Sequence, residues 1–250
     1  MTKQPRKRRG TVLDATIMAL AGIAILVGLG IWQLDRKAWK ENLIATLNTR
    51  LASAPGDLPP RSNWSSLRQN DQEFRRVKFP AEFIQGEEAL VYTAGSALRP
   101  DVKGPGYWVF APARLAGGSI VVVNRGFVPV DRKDQAARPE GATQGTLDIV
   151  GVLRWPEQRG AFTPDDDPRS NVWYLRDSNA IAVAKKWATV APFFIDQESP
   201  VPPGGWPKPG KLEVTLPDNH LQYAITWFGL ALALAGVYAV WLSRGLFRRE

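Results

Sequence analysis

The only histidine in the 250-residue chain, His220, stands where a polar segment gives way to an apolar one. Residues 221–242 carry no charge, and as a helix rising about 1.5 Å per residue they are long enough to cross a hydrocarbon core of about 30 Å. Neutral imidazole is the form that ligates iron, and near a helix N-terminus the positive end of the macrodipole disfavours imidazolium. On a helix, Tyr223, Ala224 and Trp227 fall at i+3, i+4 and i+7 and share the face of His220. That arrangement is a nitrogen donor followed by aromatic walls. It equally suits an interfacial histidine that caps the helix or touches headgroups, with Tyr223 and Trp227 as belt residues. The residues alone leave both readings open.

Little else in the chain offers chemistry. There is no cysteine, and only two methionines. This removes disulfides, thiolate metal sites, a cysteine nucleophile and covalent haem attachment through C-x-x-C-H. A zinc or copper centre made by the protein alone lacks ligands, so any metal at His220 must bring its own macrocycle. Residues 35–219 hold no histidine either, which weighs against an enzyme there. Asp165, Asp166 and Asp167 lack the alternating ligands and the glycine of a calcium loop and read as a solvated turn. Arg125, in Asn124-Arg-Gly-Phe-Val-Pro129, reads as part of a fixed turn that follows an apolar strand. Its guanidinium suits either a bound anion such as a propionate or a structural salt bridge.

The elements that must position these residues follow from charge and hydropathy. Of the formal net charge of +8, +4 precedes the first apolar run and +2 follows the last. An excess placed beside apolar helices is a topology signal rather than a nucleic-acid-binding face, and no nucleic-acid partner is expected. The boundaries read as a basic cytoplasmic tail (1–14), a first membrane helix (15–34), a β-rich periplasmic domain (35–219), a second membrane helix (220–242) and a second basic tail (243–250). A cleaved signal peptide would also begin with basic residues, but the small-residue triplets at 19–21 and 52–54 are poorly placed for cleavage. An uncleaved anchor in a bacterial inner membrane, with both termini cytoplasmic, is therefore expected. The short tails leave no room for a signalling domain.

The first helix continues past the interface, without a breaker until Pro55, with Leu43, Leu47 and Leu51 on one face. Trp32 and Trp39 suit an aromatic belt, and Gln33 and Arg36 place polar groups near the outer surface. Small residues at Ala24 and Gly28, and at Gly229 and Ala233, predict close helix approach. Residues 54–72 read as a loop. Strands are expected at 74–84, 89–93, 107–112, 119–124, 147–153, 171–175, 192–196 and 212–216, with turn signals at Gly104-Pro-Gly and Gly117-Gly. A short helix is expected at 178–188, capped by Asp177 or Ser178. The fold class is thus a membrane protein with two transmembrane α-helices flanking an α+β, β-rich domain of antiparallel barrel or sandwich type. Residues 200–210, rich in Pro and Gly, form a semi-rigid arm, and Asp218 or Asn219 N-caps the second helix.

Several blocks of residues resemble a known family. They are G-L-G-I-W-Q-L-D-R-K-A-W-K from Gly28, F-R-R-V from Phe74, V-N-R-G-F-V-P from Val123, F-T-P-D-D-D-P from Phe162, N-V-W-Y from Asn171, G-G-W-P from Gly204 and N-H-L-Q-Y-A-I-T-W-F from Asn219. In this order the chain resembles the Surfeit locus protein 1 family of cytochrome c oxidase assembly factors. Phe127 stands where that family often has Trp, and Asp218 where it often has a second Asn. The resemblance implies a non-enzymatic protein that binds haem a transiently and assists its insertion into subunit I of a haem–copper oxidase. It implies His220 as axial ligand of the haem iron, Tyr223 and Trp227 as lining residues, and oxidase subunit I and haem a synthase as partners beside the lipid bilayer. Arg36 and Arg125 match family positions and are assigned to the haem propionates. A scaffold that holds subunit I without touching haem remains the alternative.

Overall fold

The structure, a computed structural model, describes residues 6–214 and 218–247. The outermost basic residues Lys3, Arg248 and Arg249, and the end of the strand expected at 212–216, lie outside them; residues 212–214 of that stretch are irregular rather than strand. The chain runs α1 (Arg6–Ala52), β1 (Gly56–Asp57), a 3-10 helix (Arg61–Ser66), α2 (Gln69–Gln72), β2 (Arg76–Phe83), β3 (Ala89–Gly95) and β4 (Lys103–Leu115). It continues with β5 (Ile120–Pro129), β6 (Thr146–Arg154), β7 (Val172–Trp173), α3 (Ser178–Ala184), β8 (Val190–Ser199) and α4 (His220–Phe247). These elements form two compact units, Met1–Ala45 with Leu216–Glu250, and Thr46–Thr215.

The first unit is an antiparallel helical hairpin. Val12–Ala52 and His220–Arg244 are both long and apolar enough to cross a membrane. α1 runs to Ala52 as the missing breaker required. The residues of α1 that are least exposed include Ala19, Ile23, Leu26, Gly30, Gln33 and Lys37, and those of α4 include His220, Ala224, Trp227, Ala231, Leu234 and Tyr238. The steps alternate between three and four residues, the 3.5-residue repeat of a left-handed packing seam. Gly30 lies under the Phe228 ring, where an added Cβ would stand 2.6 Å from it, and Gly22 would meet Leu234 at 3.0 Å. The small residues expected at the contact do not make it. A Cβ on Gly28 or Gly229 would meet nothing within 4 Å, and Ala24 and Ala233 are exposed. Spacing finds pairs of small residues but not the rotation of the helix, which here is set by the polar pairs on the seam.

The second unit is a mixed β-barrel. The strand order β2-β6-β8-β5-β4 closes through an additional pairing of β2 with β4. All pairs in the ring are antiparallel except β5 with β8, which is parallel. One face of each ring strand builds a common core, with Val77, Phe79, Ala111, Val121, Ile149, Leu153, Phe193 and Ile195. Trp64, from the 3-10 helix in the segment read as a loop, stacks edge-on against Phe193 at 5.6 Å. A second cluster, with Val91, Phe110, Val122, Ile181 and Phe194, packs on the outer face. β5 is therefore buried on both faces, which explains its unbroken apolar run. α3 ends earlier than expected, at Ala184, and Asp177 caps it by accepting from the Asn179 and Ala180 amides.

Two expected turns are strand instead. Gly104-Pro-Gly lies inside β4, and Asn124-Arg-Gly-Phe continues β5 through a register shift. At that shift Gly126 has φ +122° and its α-carbon faces the Lys208 carbonyl, which a Cβ would approach to 2.1 Å. Only glycine allows this contact. It lets the 200–210 arm bind along the barrel: Phe127 and Lys208 exchange backbone hydrogen bonds of 3.0 and 2.8 Å, and the Gly210 amide donates to the Gln197 carbonyl at 3.1 Å. The arm is a strap. Arg99 and Lys208 both pair with Asp101, and they hold its carboxyl well below the usual carboxylate range, the Arg99 hydrogen bond foremost.

Two predictions follow from this packing. In the cysteine-free chain, a Leu26→Cys, Ala231→Cys pair should form a disulfide readily. Adding Gly30→Leu should slow that crosslink through an overpacking cost of about 1–3 kcal/mol, whereas Gly28→Leu should leave its rate unchanged. For the strap, a depressed carboxylate pKa gives stability that is complete above the unfolded value and lost only as pH falls towards the folded one. Hydrogen-exchange protection of the Phe127, Lys208 and Gly210 amides should therefore persist from neutral pH down to about pH 4, and Asp101→Asn should weaken it already at neutral pH.

Candidate functional site

α4 begins at His220 because Asp218 Oδ1 accepts the His220 amide at 2.9 Å. The Tyr223 amide closes the first turn onto the Asn219 carbonyl at 3.1 Å. Asp218 is thus the cap of the two candidates. This start places His220 on the seam, opposite Gln33 of α1, and its Nδ1 lies 2.7 Å from Gln33 Oε1. In the tautomer in which Nδ1 donates to that oxygen, Nε2 keeps its lone pair for a ligand. Orientation of a ligating imidazole by a hydrogen bond to its other nitrogen is the usual support of a metal-binding histidine. Gln33, Lys40, Asn219, His220 and Tyr223 line an open recess of about 230 Å³. Among the described residues no group of three His, Asp or Glu side chains could hold a bare metal ion. The site offers one oriented nitrogen, a cation, an amide and a phenol.

The other sequence-predicted residues are distributed differently. Tyr223 forms a wall of the recess and is otherwise exposed. Trp227 lies half-buried on the seam one turn further along and is not part of the lining. Arg36 is exposed, stacks its guanidinium 4.4 Å above the Trp39 ring, and does not line the recess. Arg125 belongs to the barrel unit, where it is buried. It donates to the Gly141 carbonyl at 2.6 Å and to Thr143 Oγ1 at 3.4 Å, and it lies 4.4 Å above the Phe83 ring. Burial pushes its pKa down to about 10, with Glu88 opposing and Arg138 adding to that effect. Its bonds go to backbone and hydroxyl oxygens rather than to a carboxylate, and its Nε has no protein acceptor. Sequence reasoning missed Lys40. The signal was available, since Lys40 follows Gln33 by seven residues, two turns on the same helix face.

The Asp165–Asp167 segment is largely exposed, as a solvated turn should be, and is braced by its own hydrogen bonds. Arg159 pairs with Asp166, whose other oxygen accepts the Tyr174 amide at 2.8 Å. Asp167 accepts from the Arg169 and Ser170 amides. Asp166 and Asp167 thus fix the loop.

A model of the SURF1 family matches residues 20–232, from the first membrane helix to the second. The chain belongs to the SURF1 family. It is 36% identical to a SURF1-like protein of Monosiga brevicollis over 229 residues, which is 87% of this chain and 84% of the relative. Surfeit locus protein 1 of Rattus norvegicus is 35% identical over 221 residues, 84% of this chain and 70% of its own length. The Homo sapiens protein is 34% identical over 231 residues, with 87% and 74% covered. The SURF1 match includes the recess residues and Arg125 alike. For Arg125 the geometry makes a structural prediction. Arg125→Ala should leave the Gly141 carbonyl with the Thr143 amide as its remaining donor, free the half-buried Thr143 hydroxyl and open an apolar gap beside Phe83, lowering unfolding stability by about 1–3 kcal/mol. Denaturant unfolding followed by tryptophan fluorescence would measure the loss.

Proposed function

We propose that this SURF1 protein is a membrane-anchored assembly factor for cytochrome c oxidase that holds haem a transiently through His220 and assists its insertion into subunit I. The reading rests on one observation above the rest: His220 is the chain's only imidazole, and its Nδ1 is engaged with Gln33 Oε1, which leaves Nε2 as the nitrogen for a ligand when Nδ1 is the donor. The residues present fit the cofactor. A bare metal would need more protein ligands than the recess offers, whereas haem brings four nitrogens of its own and asks for an axial one. An open recess leaves part of a macrocycle uncovered, which suits a ligand that must be passed on. Haem a, when bound, supplies an iron centre with affinity for a neutral imidazole. The chain's own share is to orient that imidazole, to wall one side with Tyr223 and to keep both helices in register.

Placement follows the charge pattern. The Lys/Arg excess at both flanks favours cytoplasmic termini in an inner membrane and a barrel on the periplasmic side. From there the protein meets oxidase subunit I and haem a synthase within the bilayer. Its work is binding and hand-over rather than catalysis.

The test is spectroscopic. The protein purified from a haem a-producing host should carry a haem absorbance band that is lost in His220→Gly and restored by added imidazole. Equal haem in wild type and variant, or none in either, would reject the proposal. Gln33→Leu should weaken haem binding about 10–100-fold, and Gln33→Glu should keep binding while shifting the absorbance maximum through a more basic imidazole. If the His220 variants lack haem and the oxidase still matures fully, the scaffold reading stands instead.

A further inference from the structure

The cation in the recess has no place in the function as stated so far. Lys40 lines the same recess as His220, together with Gln33, Asn219 and Tyr223. It is seven residues from Gln33 on one face of α1, so it stands about 10 Å along the helix from the residue that orients the imidazole. That is the scale separating the centre of a porphyrin from the carboxylates on its edge. We propose that Lys40, with Asn219 beside it, is the carboxylate-binding end of the recess. This inference rests on the haem reading above.

The chemistry is specific. A lysine ammonium carries donors on a flexible stem, and an asparagine amide adds two more. A carboxylate accepts from both, and a bond from an ammonium to a carboxylate is stronger than a neutral one. The arginines first assigned to this task do not compete for it. Arg36 lies outside the recess lining, and Arg125 belongs to the barrel unit. A lysine near a membrane surface also has an ordinary occupation, in which its ammonium reaches lipid phosphates. Both ligands are oxyanions, and the test must separate them.

The full-length protein in nanodiscs of neutral lipid is titrated with haem a and with haem a whose carboxylates are methylated, the binding being read from the absorbance band. Lys40→Met should weaken binding of haem a at least about tenfold and leave binding of the methyl ester unchanged. Lys40→Arg should retain most of the affinity for haem a. Equal affinities of wild type and Lys40→Met for haem a, or an equal loss for acid and ester, would overturn the inference. A loss that appears only in anionic lipid would assign Lys40 to headgroup phosphate and overturn it too. His220→Gly in the same titration separates the two claims. If that variant loses haem while Lys40→Met does not, only the carboxylate site falls; if it binds as wild type does, the haem reading falls with it.

Discussion

Helices in lipid have no hydrophobic reason to associate, since the tails are as apolar as their side chains. What holds the hairpin in one register is close contact at small residues and two bonds between side chains. Thr16 and Tyr238 share a hydrogen bond of 2.5 Å, and Gln33 and His220 share one of 2.7 Å. Both pairs lie on the 3.5-residue seam, and a slip of either helix would leave polar groups facing lipid without partners. The position of the candidate ligand is therefore a consequence of register. The same bond that pins the helices orients the imidazole, so packing and chemistry are one interaction here. Gly30 under Phe228 makes the approach possible, and Asp218 fixes where the second helix begins.

The barrel unit shows the opposite use of polar side chains. Asp196 is buried and accepts from Asn124 Nδ2 at 2.7 Å and from Arg154 at 3.0 Å. Arg154 also reaches Glu73, and Arg176 pairs with Glu157. Glu157 is held below its usual range by Arg176 although burial works the other way. A network of this kind is stable only when its members satisfy one another, and groups so engaged are not offered to a ligand. Arg125 follows this rule only in part: a guanidinium that looks available in the sequence is spent on a carbonyl and a hydroxyl, and its Nε is left without an acceptor.

Most of the architecture was legible because it depends on local patterns. The two apolar runs, the unbroken continuation of α1, the Asp177 cap and seven of the strands follow from hydropathy, capping and β-branched composition. What sequence could not supply is anything fixed by contacts between distant residues. The parallel pairing of β5 with β8, the closure of β2 on β4 and the strand-like course of Asn124 to Pro129 all belong to that class. The last depends on Lys208, more than eighty positions away, whose backbone needs a glycine at 126. The site divides along the same line. His220 was visible because it is unique and stands at a helix mouth. Its partner Gln33 is visible as a polar residue, but the bond between them requires the register. Small residues at 24, 28, 229 and 233 had the right spacing on the wrong face.

For a protein that receives a cofactor and gives it up, a single axial ligand is a thermodynamic advantage. Each factor of ten in affinity corresponds to about 1.4 kcal/mol, and affinity differences among similar sites reside mostly in the rate of release. On the proposed function, one imidazole in an open recess would supply a few such factors and leave one face of a macrocycle accessible. Any acceptor that adds a second axial ligand, or closes an apolar pocket around the ring, then binds more tightly and draws the cofactor away without further work by the donor. The absence of cysteine and of any other histidine from this chain would keep such a donor from matching that offer. On the proposed function, the sparseness of the site is what sets the direction of transfer.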